Sequence, residues 1–578
     1  VDTAQQPRNR QRYATVTEMK SDGAVYTPKP LADFVSARIL DSVNGLQTRD
    51  SLRLLDPAVG HGELLFRLLE HMPEQWTQSI EVCGFETNKR ALDTARQRIL
   101  GRFPSVTISF ESRSFLEYVI AHLETSTRGD LFTDSSPEVY DLIIANPPYV
   151  RTQVLGTRQA QKLSRQFGLS GRVDLYQPFI LGISQVLHPL GIAGIIVSNR
   201  FMTTRSGSSI RRALFQHCNI RHVWDLGDTK LFDAAVLPAV LLLEGNASIC
   251  NKKTKPAFTT IYETSDSSIH SASDTISALK KEGVVEIDDG RRFRVQHGKL
   301  DTNGNLDGTW RVATKSTDTW LRSVDRHTWG TFRDIGKVRV GVKTCADKVF
   351  IRNDWQNMAK LPELLRPLTT HQISRRFRPL HSDQPMYILY PHEVVKGRRR
   401  AADITQYPNA SEYLCAHRTT LEARKYVIES GRRWYEIWVP QDPNAWGLPK
   451  LVFRDIVDRP TFWLDFKGSV VNGDCYWMVP DKPRDNDLLW LAASVANSSF
   501  IERFYDLRFN NKLYAGRRRF ITQYVEKFPL PNPSSEPSKE IISKAKRLYQ
   551  HISSPQETSL EQELDILIWQ ALTGGPPK

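Results

Sequence analysis

The stretch DLIIANPPYV, residues 141–150, decides how the rest of the chain reads. Its apolar run, Leu142 to Ala145, is short and unbroken, the pattern of a strand covered on both faces inside a parallel sheet. Pro147 and Pro148 end it. Neither carries an amide hydrogen, each fixes its own backbone, and together they push Asn146 toward an extended conformation. The outcome is a stiff shelf at the carboxyl end of a buried strand, where open α/β sheets carry their ligands.

Outward from that shelf, strand and helix patterns alternate. LRLLD (Leu52 to Asp56), IEVCGFE (Ile80 to Glu86), SVTISF (Ser105 to Phe110) and GIAGIIVS (Gly191 to Ser198) read as strands. Between and beside them HGELLFRLLEHM, NKRALDTARQRILG, DLYQPFILGISQVL and SSIRRALFQHC read as helices, and a further amphipathic helix runs from Lys29 to Val43. Such alternation predicts an α/β fold with a doubly wound, mostly parallel sheet. IRHVWDLG and VLPAVLLLE follow with only a short loop between them, and are expected to form an antiparallel edge. From Asn246 to Thr275 the chain turns rich in Ser, Thr and Asp, and reads as a loop or peripheral insertion. The boundary falls between Ala313 and Phe332, giving domains at 1–325 and 326–578. The second has irregular strand-like pieces, many Trp and Tyr, and clustered cations, consistent with a mixed α+β domain.

The 578 residues suffice for full-sized cores. A net charge of +14 with only 25% charged residues describes a folded basic protein with a polyanionic partner. Six scattered cysteines form no C-x-x-C pair and no zinc spacing, so reduced thiols, no metal and a cytosolic compartment are expected. No stretch reads as a signal peptide or a membrane span, since the longest apolar run, Ala234 to Leu243, contains Pro238.

DPAVGHG (Asp56 to Gly62) follows the first strand and opens a helix, where glycines let the backbone turn tightly and approach a ligand. Neither G-x-G-x-x-G nor a Lys-Ser/Thr pair is present to cradle a phosphate. Instead Asp56 precedes the glycines, and Glu86 ends the second strand where a carboxylate grips ribose hydroxyls. An acid there suits a cationic, phosphate-free nucleoside such as S-adenosylmethionine.

The shelf suits an exocyclic amine. Such a nitrogen is a poor nucleophile because its lone pair is drawn into the base. The side-chain carbonyl of Asn146 and the backbone carbonyl of Pro147 can each accept one amine hydrogen and return that pair to nitrogen. Tyr149 offers a face for the base, worth about 1–3 kcal/mol by stacking.

These motifs, in this order, resemble the TaqI-type, γ-class family of adenine-specific DNA methyltransferases. The resemblance implies a class I fold that uses S-adenosylmethionine without metal. It implies that Tyr26, Thr27 and Pro28 of AVYTP line the methionine end of the cofactor, that Asp56, Ala58, Gly60, Gly62 and Glu86 hold the nucleoside, and that Asn146 touches cofactor as well as base. Asn146, Pro147, Pro148 and Tyr149 would be the catalytic set, with Phe232 of LFDAAVLPAVLLLE sandwiching an extruded adenine against Tyr149. Where the family has Asp-Phe after the third strand, this chain has Ser114-Phe115, with Glu117 as the alternative. VRVGVKTCADKVF, LPKLVFRDI, NGDCYWMVP and KFPLPNP resemble landmarks of the family's recognition domain.

The expected product is N6-methyladenine in duplex DNA, made by a monomer as the modification half of a restriction–modification system, with a separately encoded endonuclease. Phosphate-binding forks would come from Arg375, Arg376, Arg378, Arg398, Arg399, Arg400, Arg432, Arg433, Arg517, Arg518 and Arg519. The alternative substrates are rRNA adenine and a protein glutamine amide; a large basic carboxyl half favours DNA over both. A non-catalytic DNA-binding subunit disagrees with the intact Asn146 and Tyr149. A fused nuclease rests only on Asp458, Asp465 and Lys467, and the residues ahead of Tyr26 are too few for a nuclease domain. His61, His188 and His217 read as turn-shaping or packing residues.

Overall fold

Alternating buried side chains organise the first half of the chain around one sheet. The computed structural model describes residues 27–43, 51–73, 79–128, 138–149, 157–169, 174–232, 237–246, 255–302, 304–482, 486–509, 513 and 517–576. Strands β1 (Leu52–Asp56), β2 (Ile80–Phe85), β3 (Thr107–Glu111), β4 (Tyr140–Ala145) and β5 (Leu187–Ser198) run parallel in the order β3-β2-β1-β4-β5. Asp56 is level with Gly84, and Ile143 lies between Leu55 and Ala193.

All six residues of β4 are buried, which accounts for its unbroken apolar run. Leu142 and Ile144 face helices α1 (Lys29–Leu40), α2 (Glu63–His71) and α3 (Lys89–Arg102). Ile143 and Ala145 face the other side, toward α4 (Phe115–Arg128), α5 (Thr157–Gln166), α6 (Tyr176–Val186) and α7 (Ser208–His217). Each fully buried aliphatic side chain contributes about 1.5–3 kcal/mol, so both faces of β4 are strongly specified. Helices α4 and α5 were not apparent in the sequence patterns.

Beyond β5 the sheet departs from expectation. Strand β7 (Pro238–Glu244) is antiparallel to both β5 and β6 (Asn219–Asp225) and lies between them. The pair is antiparallel as expected, but it is not an edge. Strand β6 pairs in parallel with β8 (Ala257–Glu263), and the sheet continues through β11 (Arg292–Asp301), β10 (Gly283–Ile287) and β9 (His270–Ala272), with β12 (Arg311–Ala313) on β11. Part of the stretch read as a loop is therefore sheet. Phe258 and Ile261 of β8 are fully buried on opposite faces, while Thr259 and Thr260 are only 3% exposed. Threonine is polar in composition, but its branched side chain fits a pleated surface, and this disguised the strand.

The chain divides into two compact units, 1–314 and 315–578. Compared with the boundary expected at 325/326, helix α8 (Lys315–His327) goes to the second unit, where Leu321 and Val324 join its core. That unit is mixed α+β. One antiparallel sheet joins Val338–Val340, Cys475–Met478, Lys450–Arg454 and Phe462–Asp465, and shares a core with helices Asn486–Ala496, Ser499–Phe509, Glu536–His551 and Glu557–Thr573. A second sheet joins Ile351–Arg352, Tyr387–Leu389, Leu365–Thr369 and Val470–Val471, and a hairpin pairs His392–Val395 with Arg398–Ala401.

Candidate active site

Three chain segments converge at the carboxyl edge of the parallel strands. Asp56, the last residue of β1, is 1% exposed; its Oδ1 accepts from Ala58 N at 2.9 Å and its Oδ2 is buried without a hydrogen-bond partner among the described residues. Burial pushes the carboxyl up to about 7, and the charge of Glu86 pushes the same way. The following turn is closed by Gly62 N donating to Val59 O at 2.9 Å.

Its two glycines serve different ends. Gly62, at φ +77°, sits where a Cβ would stand 2.9 Å from Ala95 Cβ, so it lets helix α3 pack close. Gly60, at φ +53°, has no heavy atom within 4 Å of a Cβ position, so open space lies before it. Gly60 N donates to Glu86 Oε2 at 3.0 Å, and Asn88 N donates to Glu86 Oε1 at 2.8 Å. Glu86 is thus fixed at the tip of β2, one bond from the turn. Gly84, which the motif reading missed, admits Val59: a Cβ there would lie 2.3 Å from Val59 Cγ2. His61 is exposed in this turn.

At the shelf, Asn146 Nδ2 donates to Thr27 Oγ1 at 2.9 Å. The bond joins the first motif to the catalytic one across 119 positions of sequence and turns the carbonyl end of the amide away from Thr27. Pro28 accepts from Leu31 N and Ala32 N, starting α1 directly behind Thr27. Tyr26 lies outside the described residues. Pro147 is buried, and Pro148 and Tyr149 are half-buried. The Tyr149 ring lies 6.3 Å from that of Tyr176, tilted by 52°. Its hydroxyl is buried without a partner, and burial holds the phenol well above its usual range.

Two of the expected aromatic residues are buried. Phe232, 7% exposed, packs with Trp224 and Leu226 on the α1 side of the sheet, whereas Tyr149 packs on the α6 side. Phe115 is fully buried, with ring centroids 5.5 Å from Phe85 and 5.8 Å from Phe179. It braces the strand tips and has no surface to offer a cofactor, a correction to its expected place. Ser114 begins α4, its carbonyl accepting from Glu117 N and Tyr118 N, and Glu117 is exposed.

A buried polar network at the same edge was invisible in the sequence. Asn199, just after β5, donates to Asp225 Oδ1 at 2.9 Å, and Tyr262 of β8 donates to Asp225 Oδ2 at 2.7 Å. Glu263 N donates to Asp228 Oδ1 at 2.8 Å, and Arg291 Nη1 to Thr229 O at 3.2 Å. These bonds pin the segment leading to Phe232 onto β8. No spacing rule finds them, because the partners come from separate strands.

The arginines of the second unit sort into paired and unpaired groups. Arg375 bridges to Glu557 and Ser553, Arg376 to Glu561 and the carbonyl of Asn497, and Arg378 to the carbonyl of Ile552. Arg518 forks onto Asp506, Arg519 onto Asp455, and Arg517 pairs with Asp458. Arg432 donates to the carbonyls of Ile437 and Trp438, Arg433 to Tyr435 Oη, and Arg400 pairs with Glu393. Nine of the eleven expected phosphate-binding arginines thus already hold an internal partner, most firmly Arg375, Arg376, Arg518 and Arg519. Arg398 and Arg399, exposed on the hairpin, make no side-chain hydrogen bond or ion pair with described residues.

The nuclease echo dissolves as well. Asp465 is buried against Lys450 Nζ at 3.2 Å and accepts from Lys467 N and Ser469 N. Among the described residues no group of three His, Cys, Asp or Glu could hold a metal, and no helix is long and apolar enough to cross a membrane.

Residues 81–232 match the family described as Eco57I restriction-modification methylase. The chain is 38% identical to the type II methyltransferase M.BanIII of Aneurinibacillus aneurinilyticus, over 96% of this chain and 98% of that one. It is 23% identical to the type II methyltransferase M.BstVI of Geobacillus stearothermophilus, over 89% and 90%. Among solved structures it is similar in fold to a nuclease-deletion mutant of the Type ISP restriction-modification enzyme LlaGI, solved with a DNA substrate mimic. The TM-score is 0.51 at 12% identity, over 91% of this chain and 54% of that one, so the chain spans about half of that protein. With the glycine turn and the proline shelf in place and M.BanIII matched over nearly all of both chains, the protein belongs to the type II DNA methyltransferases of restriction–modification systems.

Proposed function

We propose that the chain transfers the methyl group of S-adenosylmethionine to the N6 amine of an adenine rotated out of duplex DNA. The residues present fit that cofactor: Asp56 keeps a buried oxygen without a partner, Gly60 faces open space, and Glu86 is held beside the turn. Asp56 and Glu86 would hold its ammonium and ribose ends, and Thr27 and Pro28 would flank the shelf. When bound, S-adenosylmethionine supplies a methyl group on a positively charged sulfur.

The chain's own residues prepare the acceptor. Asn146 Oδ1 and the Pro147 carbonyl accept the two amine hydrogens, drawing the lone pair out of the ring and onto nitrogen. The methylated amine then sheds a proton to water, and no strong base is required. One observation carries this reading, the 2.9 Å bond from Asn146 Nδ2 to Thr27 Oγ1, because it fixes which end of the amide is nitrogen and so orients the carbonyl as the end that can accept from an amine. Tyr149 stacks on the extruded base. Phe232 is the expected opposite face of that sandwich.

Rotating a base from the duplex costs a few kcal/mol, which phosphate contacts from the second unit must offset. Arg398, exposed and without a side-chain partner among the described residues, is a free fork for that work. The protein acts as a monomer on DNA in the bacterial cytoplasm, without metal, beside a separately encoded endonuclease. Incubation with plasmid and isotope-labelled S-adenosylmethionine, followed by base mapping at single-nucleotide resolution, tests the proposal. Label on adenine N6 at one defined site is expected, and label on cytosine, RNA or protein alone would overturn it.

A further inference from the structure

Two cavities of the second unit meet at the same pair of side chains, Arg399 and Gln441. One, of about 650 Å³, is also lined by Lys337, Arg339 and Lys343, and the other, of about 590 Å³, by Arg400 and Arg432. Cations outnumber the acids Asp442 and Glu436 around this groove, so a polyanion is its natural occupant.

Gln441 does not belong to that pattern. Its backbone sits at φ +64°, a region that side chains other than glycine rarely hold and that clusters at functional sites. Its Nε2 donates to Val340 O at 2.8 Å, and the same carbonyl accepts from Trp477 Nε1 at 3.2 Å. A carbonyl can be met only by the nitrogen end of the amide, so that end is tethered to Val340 and the oxygen is the acceptor that Gln441 brings to the groove. Phosphate oxygens are acceptors and cannot pair with another acceptor. An occupant that carries a donor as well as anionic oxygens meets both this acceptor and the cations around it. In the major groove of DNA the donors are the N4 amine of cytosine and the N6 amine of adenine.

Resting on the reading of the second unit as the DNA-recognising half, we propose that Gln441 and Arg399 read base edges. Gln441 accepts from the exocyclic amine of a cytosine or adenine. Arg399, exposed and without a side-chain hydrogen bond or ion pair among the described residues, donates to O6 and N7 of a guanine. Lys337 and Lys343 hold the phosphates on either side and carry no sequence information.

The test compares methylation maps of wild type, Gln441→Ala and Arg399→Ala on one plasmid, with rates at the cognate site and at every single-base variant of it. Each variant is expected to relax discrimination about tenfold or more at one position of the site, the two positions differing. Salt dependence of DNA binding should stay unchanged for Gln441→Ala. Equal rate losses at cognate and mismatched sites, or an unaltered map in both variants, would overturn the proposal. Arg399 is exposed on a hairpin, so its variant keeps the test valid should Gln441→Ala fail to fold. Wild type that leaves DNA unlabelled would instead sink the functional reading itself, and shows before any variant is compared.

Discussion

Asp56 offers the sharpest test of the cofactor turn. Its carboxyl is 1% exposed, and burial raises it from an ordinary 3.8 to about 7. That gap of about three pH units, at about 1.4 kcal/mol each, amounts to about 4 kcal/mol. Below about pH 4 the carboxyl is protonated in folded and unfolded chains alike, and it contributes nothing. Between about 4 and 7 the unfolded chain has lost the proton and the folded chain keeps it, so stability falls as pH rises, by up to about 4 kcal/mol above 7. A cationic ligand reverses the balance, because it favours the ionised form.

Asp56→Asn removes the charge and keeps an oxygen for Ala58 N. At pH 8 and without ligand, that variant should be more stable than wild type by a few kcal/mol, read as a higher midpoint in urea. At pH 5 the difference should shrink by more than half. Calorimetric titration with S-adenosylmethionine should show wild-type affinity falling toward tenfold per pH unit below about 7, and the variant should bind weakly at every pH. A variant less stable at pH 8, or affinity flat between pH 5.5 and 8 in wild type, would refute the account of this carboxyl.

Asn146→Ala should lower methyl transfer by about 10²–10³-fold, since it removes a group acting on the acceptor in the transition state, while calorimetric cofactor affinity stays within a few-fold. Gly62→Ala should cost about 1–3 kcal/mol in denaturant unfolding, because the new Cβ meets Ala95 Cβ at 2.9 Å and the backbone stands at φ +77°. Arg376→Ala should destabilise the second unit by about 2 kcal/mol, through its lost bonds to Glu561 and the Asn497 carbonyl. Arg398→Ala should leave the unfolding midpoint unchanged and instead shallow the salt dependence of DNA binding by about one phosphate contact.

The parts of the site that were legible are those whose chemistry is local. A four-residue apolar run, an amide and two prolines occupy seven positions, and DPAVGHG another seven, so spacing alone places them at strand tips. The extension from β8 to β12 was less legible because Thr259 and Thr260 look like loop residues until their burial is known. The Asn199–Asp225–Tyr262 network was not legible at all. Three polar residues at irregular separations carry no periodicity, and only pairing of β6 with β8 brings Tyr262 to Asp225.

The arginines show why charge in a sequence underdetermines its use. A guanidinium fork fits a carboxylate and a phosphate equally well, so a cluster such as Arg375-Arg376 reads the same whether its partner is DNA or its own chain. What separates the two is an acid placed far away in sequence. Glu557 and Glu561 are that acid, 182 and 185 positions on, and they commit both arginines before any nucleic acid arrives. Arg398 and Arg399 have adjacent places on a hairpin whose partner strand supplies one acid, Glu393, and Arg400 takes it. The free forks on that hairpin are thus left over by internal pairing, and the strained, tethered Gln441 shares its groove with one of them.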